Sequence, residues 1–261
     1  MDILKKSYLI ILGILISIII LYFKTSDSEL KSFSLNLITE ILGIFITVFL
    51  IDRAIQSREK KEKLKILQSA YIQFRNPVMK MLDFLITAYK ASCDTKPEDL
   101  KFTYKQILST DEFYEAIKFL DFKNKAPITP TTNWSAYSAQ HVRFLKDSFD
   151  KTIDKYAFVL DSKLINDMES LSNSRFLQIL ASAEIILQSD ISMNHNRANL
   201  NILANNHATK ELKTFLKNIF ELIEYFEKQS QKLSFWTYDQ GIWGDNIAPK
   251  IGSSRVKINA T

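Results

Sequence analysis

The sequence is poor in cysteine, glycine and proline, and each shortage excludes a class of structure. Cys93 is the only cysteine among 261 residues, which rules out a disulfide within the chain and a zinc site built from cysteines. Five glycines and five prolines are too few for a turn-rich sandwich. Because leucine, isoleucine, phenylalanine and lysine are plentiful, the composition predicts an all-α protein, with Cys93 as a buried or idle thiol.

The motifs of common catalytic and cofactor sites are missing as well. The chain has neither of the glycine-rich loops that bind nucleotides, Gly-x-x-x-x-Gly-Lys and Gly-x-Gly-x-x-Gly, and no His-Glu-x-x-His pair. His141, His195 and His207 are far apart, so a metal site would require a loop that gathers His195, His207 and a carboxylate. We therefore expect no cofactor, no metal and no catalytic residue.

One predicted helix alternates acidic and basic residues, with Asp147, Asp150 and Asp154 between lysines. These carboxylates could form a cluster for acid–base chemistry or for a cation. They could also form a solvated helix face with pairing between residues four apart, which is the interpretation we favour because such faces are common.

The positive charge is concentrated in one short segment. The net charge is +5, of which residues 52–65 carry +3, because six basic residues there face three acidic ones. The six are Arg53, Arg58, Lys60, Lys61, Lys63 and Lys65. This distribution indicates contact with anionic lipid headgroups and gives no reason to expect direct binding of nucleic acid.

Two long apolar runs precede that basic segment. We predict membrane spans at about 7–23 and 33–51, the first containing 16 uncharged residues that cover roughly 24 Å of a hydrocarbon core about 30 Å thick. A cleaved signal peptide is the alternative for the first run. We favour a retained anchor, because no Ala-x-Ala site follows and a second apolar run comes soon after.

The flanking charges predict the orientation of the two spans. More basic residues follow the second span and precede the first than lie between them. By the positive-inside tendency, both termini are cytoplasmic and residues 24–32 form a short outer loop. The abundance of lysine is typical of an AT-rich bacterial gene, so the expected location is the inner membrane of a bacterium.

Small residues recur at helical spacing in both spans, and such faces let helices approach closely in lipid. In one interpretation this face closes the hairpin within one chain, and Glu40 either bonds Ser17 or extends outward toward the membrane surface. In the other, it assembles several copies into a homo-oligomer and places Glu40 beside a polar pathway. We favour the first, because the two spans must pack on each other before anything else. The candidate packing residues are Gly13, Ser17, Thr39, Glu40, Gly43 and Thr47.

The remaining sequence predicts a helical bundle. The Asn76-Pro77 pair is expected to break or kink a helix that continues from the second span. The predicted regions are a transmembrane hairpin at 1–52, a basic helical stalk at 53–76, a cytoplasmic bundle at 77–235 and a tail at 236–261. Helices are expected at 77–92, 110–120, 134–160, 161–171, 174–187 and 209–233, with a loop at 188–207. The aromatic tail either docks on the bundle or rests at the lipid interface.

Two stretches, "LNLITEILGIFITVFLIDRAIQSREKKE" and "DKYAFVLDSKLINDMESLSNSRFLQIL", cover about a fifth of the chain. They resemble segments of uncharacterised bacterial proteins that have two N-terminal spans and a helical cytoplasmic domain. The layout is also similar to two-span effectors of phage-defence systems, including those attached to retrons. That resemblance implies a regulatory protein or a ribonucleoprotein as partner.

Three functions are consistent with these patterns. The first is an antiviral, abortive-infection effector whose hairpins assemble and compromise the membrane when triggered. The second is a membrane-tethered sensing or protein-interaction module whose spans serve only as an anchor. The third is an enzyme with a site in the 188–208 loop or in the tail.

Overall fold

The computed structural model describes residues 2–98 and 100–256, with side chains described from residue 11 onward. Within these residues all the regular secondary structure is helical, which confirms the predicted all-α class. The chain divides into two compact units, Met1–Lys63 and Leu64–Thr261. The second unit therefore includes residues 64–76, which the sequence predicted as part of a stalk.

The first unit contains helix α1 (Asp2–Lys24) and the beginning of helix α2 (Ser28–Ser92). Only residues 25–27 separate the two helices, so the loop predicted at 24–32 is wrong in its extent. The reason is a local cap: the Asp27 carboxylate accepts a hydrogen bond from the backbone N–H of Glu29 at 2.9 Å, which starts α2 early.

Helix α2 is 65 residues long and continues through Pro77, so of the two alternatives predicted at Asn76-Pro77, a break or a kink, the break is wrong. A proline inside a helix costs about 3 kcal/mol or more, because it removes a hydrogen bond and crowds the preceding turn. Here Phe74, Val78 and Met81 are fully buried on either side of Pro77. Burial of each such side chain contributes about 1.5–3 kcal/mol, so tertiary packing outweighs the local preference.

Helix α2 is also long and apolar enough to cross a membrane, by its length and composition. Its apolar segment is exposed: Phe33, Ile44 and Leu50 each keep more than half of their surface accessible. Within the described side chains, helix α1 is apolar over Ile11–Lys24. Residues 7–10 of the predicted first span lie outside the described side chains.

The second unit surrounds the later part of α2 with short and long helices. Their bounds are α3 Tyr104–Ile107, α4 Asp111–Ile117, α5 Trp134–Tyr156, α6 Ser162–Ser172, α7 Arg175–Ser192 and α8 Asn206–Ser230, followed by a 3-10 helix at Gln240–Trp243. At the centre of the core, Phe74 of α2 stacks on Phe149 of α5, with ring centres 5.6 Å apart, and meets Phe226 of α8 at 5.1 Å. This cluster identifies α2, α5 and α8 as the principal core helices.

The predicted helix starts at Thr110 and Asp161 are confirmed as caps. The Asp161 carboxylate accepts from the Leu164 N–H at 2.8 Å, and the Thr110 hydroxyl accepts from the Phe113 N–H at 3.2 Å. The predicted ends of α4 and α5 are a few residues too late. Asn76 does not cap a helix, since it lies inside α2.

The loop predicted at 188–207 is shorter than expected, because the neighbouring helices extend into it. Helix α7 continues to Ser192, where the largely buried Asp190 forms a bidentate ion pair with Arg197 at 2.7 and 3.2 Å. Helix α8 begins early because the Asn205 side chain caps it, accepting from the Ala208 N–H at 2.6 Å.

The aromatic tail docks on the second unit, as one of the two sequence-based alternatives proposed. Trp236, Tyr238 and Trp243 are buried in the core. Residues 257–261 of the predicted tail lie outside the described residues.

Candidate membrane-assembly surface on the second helix

Within the first unit, isoleucines of both helices face a groove between α1 and α2. Ile11 and Ile14 of α1 and Ile41 and Ile44 of α2 line one apolar groove of about 150 Å³. Ser34 of α2 is buried in the same unit. Because Ser34 and Ile41 are seven residues apart, about two turns of a helix, they share the side of α2 that faces α1.

Gly43 lies on the opposite side of α2. It is nine residues from Ser34, which is two and a half turns, and Thr39 and Thr47 flank it at one turn on either side. A Cβ placed on Gly43 would meet nothing within 4 Å, and the same holds for Gly13. Among the described residues these two glycines therefore make no close contact with another helix, and isoleucine side chains line the groove between α1 and α2 instead.

The hydroxyl groups of the candidate face are satisfied by their own helices. The Thr39 hydroxyl donates to the Leu35 carbonyl and the Thr47 hydroxyl to the Gly43 carbonyl, both at 2.8 Å. The Ser17 hydroxyl donates to the Gly13 carbonyl at 2.9 Å, so the expected bond between Ser17 and Glu40 is absent from the described contacts. The side chains of this face are thus small, and their hydroxyl groups already have hydrogen-bond partners, as in close helix packing in lipid.

Glu40 is exposed on the flank of this face, three residues before Gly43. Asn36, one turn earlier, is also exposed and was not singled out from the sequence. Its spacing of four residues from Glu40 was the signal that could have identified it. We name Asn36, Thr39, Glu40, Gly43 and Thr47 the α2 stripe. A carboxylate and an amide facing hydrocarbon are costly, so this stripe favours a protein or water partner over lipid.

The basic segment is exposed, as its predicted contact with headgroups requires. Arg58 pairs with Glu62 at 3.0 Å, and the Gln56 amide bonds Asp52 at 2.9 Å, both along the helix. Neither interaction buries a charge. All six basic residues are exposed to solvent, namely Arg53, Arg58, Lys60, Lys61, Lys63 and Lys65.

The other sequence candidates lie apart from one another. Asp147, Asp150 and Asp154 are exposed on α5. No group of three or more histidine, cysteine or acidic side chains able to hold a metal occurs in the described part of the chain. Cys93 is buried, and burial raises the pKa of its thiol to about 11, which makes it inert.

His141 is a half-buried residue whose ring contacts Phe84 and Tyr137. Burial, reinforced by the charge of Lys80, lowers its pKa to about 4, so the imidazole is neutral at physiological pH.

The α2 stripe and the basic segment are therefore the features of this chain with the clearest functional chemistry. No family model matches the sequence, and no curated protein or solved structure is similar to it.

Proposed function

We propose that this protein is a non-enzymatic effector of the bacterial inner membrane that acts in antiviral defence. Its α1 and α2 helices form a transmembrane hairpin with spans at about 7–23 and 33–51. When triggered, several copies assemble through the α2 stripe and compromise the membrane.

The observation that carries this proposal is the direction of the α2 stripe. Gly43 at its centre lies opposite Ser34 on α2 and has open space beyond it, while Glu40 at its edge lies one turn from Ile44, which lines the groove with α1. Helices associate in lipid by close packing at small residues, so a small face turned away from its own hairpin is available to another copy. A homo-oligomer is the assembly that this arrangement supports.

Assembly would change the surroundings of Glu40. In a single hairpin its carboxylate faces hydrocarbon, which is unfavourable. Around a shared axis, Glu40 and Asn36 of several copies would face one another and could hold water. A polar pathway of this kind would let ions leak, which is how the assembled hairpins would compromise the membrane.

The basic segment supports the proposed orientation. Residues 33–51 extend over about 28 Å as a helix, close to the thickness of the hydrocarbon core. The exposed basic residues follow at once, where anionic headgroups of the cytoplasmic leaflet would attract them. Both termini would then be cytoplasmic.

The role in defence is proposed from the resemblance of the layout to two-span effectors of phage-defence systems. In such a role the helical unit would receive the signal from a regulatory protein or a ribonucleoprotein. No nucleic-acid contact, cofactor or metal is needed for the proposed activity.

The test is growth and membrane potential in a bacterium that expresses the full chain together with its triggering phage. The wild type is expected to arrest growth and depolarise the membrane. Gly43→Ile should abolish both effects, because a branched side chain separates the stripes. Leu42→Ile, an exchange of equal volume one position away, should remain active. Equal depolarisation by Gly43→Ile and wild type at matched expression would contradict the proposal.

A second function is favoured by a different observation. Several apolar side chains of the second unit are highly exposed, with Leu233 at 94%, Phe235 at 88% and Phe158 at 72%. Such residues suit the binding of a partner protein, with the spans serving only as an anchor. Replacing residues 1–52 with an unrelated two-span anchor separates the two functions, since only the interaction module would keep its activity.

A further inference from the structure

The end of α2 is closed by the C-terminal strap, which we define as residues 239–256. Three carbonyl groups of the last helical turn accept hydrogen bonds from it. The Gly252 N–H bonds the Lys90 carbonyl at 3.0 Å, and the Ser254 N–H bonds the Ala91 carbonyl at 2.8 Å. The Arg255 side chain donates to the Ser92 carbonyl at 3.2 Å. A helix end lacks partners for these groups, so the strap supplies the cap that α2 requires.

Lys90 projects from the same turn and is completely buried. Its ammonium group donates to three strap carbonyls, those of Ile242 at 2.5 Å, Gly244 at 3.1 Å and Ile247 at 2.6 Å. Among the described residues no carboxylate lies within ion-pair distance of it. The direct partners of this buried positive charge in the strap are therefore neutral carbonyl groups, and the carboxylate of Asp245, also in the strap, acts on it at longer range.

Further contacts tie the strap to the rest of the second unit. The Trp134 indole N–H donates to the Ser254 hydroxyl at 2.7 Å, and the Val256 N–H bonds the Phe119 carbonyl at 2.8 Å. Trp243 packs edge-on against Tyr89 of α2 with ring centres 5.2 Å apart. These are separate attachment points on a segment whose only helix is one 3-10 turn.

The strap can be attached to the second unit, which we call the closed state, or detached from it, which we call the open state. These two states differ less in free energy than the number of contacts suggests. Burying an ammonium group without a carboxylate in direct contact carries a large desolvation penalty, which three carbonyl groups and the more distant Asp245 only partly offset. Burial lowers the pKa of Lys90, the direction expected of that penalty. When the strap detaches, Lys90 returns to water and the penalty disappears. The penalty accordingly offsets part of the stability that these contacts give the closed state.

We propose that the C-terminal strap opens as a unit while the core of α5 to α8 stays folded, and that Lys90 is the residue that holds it closed. Opening removes the cap from the end of α2, the helix that also carries the α2 stripe. The strap is thus a conformational switch at which a partner can act on α2. This proposal stands whether or not the protein assembles in a membrane.

The test is hydrogen–deuterium exchange of the full chain in lipid nanodiscs, read by mass spectrometry. Strap peptides of the wild type should exchange at least tenfold faster than peptides covering 212–226 of α8. Lys90→Met leaves three buried carbonyls without a donor, so it should accelerate strap exchange a further tenfold or more. Lys80→Met, at an exposed position of the same helix, should change neither region.

A second variant keeps the test decisive if Lys90→Met fails to fold. Gly252 has a φ of +67°, and a Cβ there would lie 3.1 Å from the Cys93 carbonyl oxygen. Gly252→Ala should therefore loosen the strap without altering Lys90, and its faster exchange should be confined to the strap and the last turn of α2. Equal protection of strap and α8 in the wild type would overturn the proposal. So would variants that accelerate exchange equally throughout the second unit.

Discussion

The two units of this chain place their apolar side chains in opposite environments. In the first unit Ile44 and Leu50 are about 60% exposed, and neither glycine touches another helix. In the second unit Phe74, Val78 and Met81 are fully buried, and even the charged Lys90 is enclosed. A unit that hides its apolar surface folds on its own core, whereas exposed apolar surface of this extent is typical of a site that contacts lipid or another protein.

The largest expected effect comes from truncating the core of the second unit. Phe74→Ala should lower the free energy of unfolding by about 3 to 5 kcal/mol, because it opens a cavity between α2, α5 and α8. Tryptophan fluorescence during chemical unfolding in detergent measures it, since all three tryptophans belong to this unit. Ile44→Ala in the first unit should leave that transition unchanged. A similar loss from both variants would break the contrast between the units.

A smaller effect concerns how the stability of the second unit depends on pH. Because the pKa of His141 is lowered to about 4, unfolded His141 takes up a proton below about pH 6.5 while the folded residue stays neutral. Its contribution to stability is complete above pH 6.5 and falls by up to about 3 kcal/mol as the pH drops toward 4. His141→Gln should remove this part of the dependence in unfolding measured at pH 7 and pH 4.5. His207→Gln, at an exposed position on α8, serves as the control.

A cap at the start of α6 should contribute about 1 to 2 kcal/mol. Asp161 accepts from the Leu164 N–H at 2.8 Å and from the Tyr225 hydroxyl at 2.6 Å, and Asp161→Ala loses both bonds. We expect the melting temperature to fall by roughly 3–6 °C in a thermal scan of the fluorescence. Asp150→Ala, at an exposed site on α5, should change the melting temperature little. An equal decrease in both variants would show that the cap does not stabilise α6.

The smallest effect per residue is expected in the basic segment. Each exposed lysine near an anionic surface contributes about 1 kcal/mol, so in the proposed arrangement Lys60, Lys61 and Lys63 would together favour the orientation with the second unit in the cytoplasm. Changing all three to glutamine should let a fraction of chains insert with the second unit outside, which protease protection of spheroplasts detects. The triple change to arginine should preserve the wild-type orientation. Identical orientation in both triple variants would argue against the proposed headgroup contact.

The sequence predicts the parts of the fold that depend on neighbouring residues. The helix starts at Thr110 and Asp161 follow from side chains that cap the next turn, and they are confirmed. The path of α2 through Pro77 could not be predicted, because it depends on partners that α2 meets in the folded core. The same applies to Lys90, whose three acceptors lie more than 150 residues away in the sequence.

The candidate surface was predictable in its spacing but not in its direction. The four-residue repeat of Thr39, Gly43 and Thr47 is compatible with packing inside one hairpin or between hairpins. The choice depends on which side of α2 faces α1, and in the structure Ile41 and Ile44 line the groove with α1. Branched residues occur throughout the span, so the sequence alone does not distinguish the isoleucines that make the contact.

The most direct test of the account is cross-linking between copies in cells that the protein has depolarised. Thr47→Cys and Ile41→Cys are compared in a Cys93→Ala background under a mild oxidant. If copies assemble through the α2 stripe, Thr47→Cys gives a disulfide-linked dimer and Ile41→Cys gives none. A dimer from Ile41→Cys alone, or none from Thr47→Cys in depolarised cells, would contradict the account.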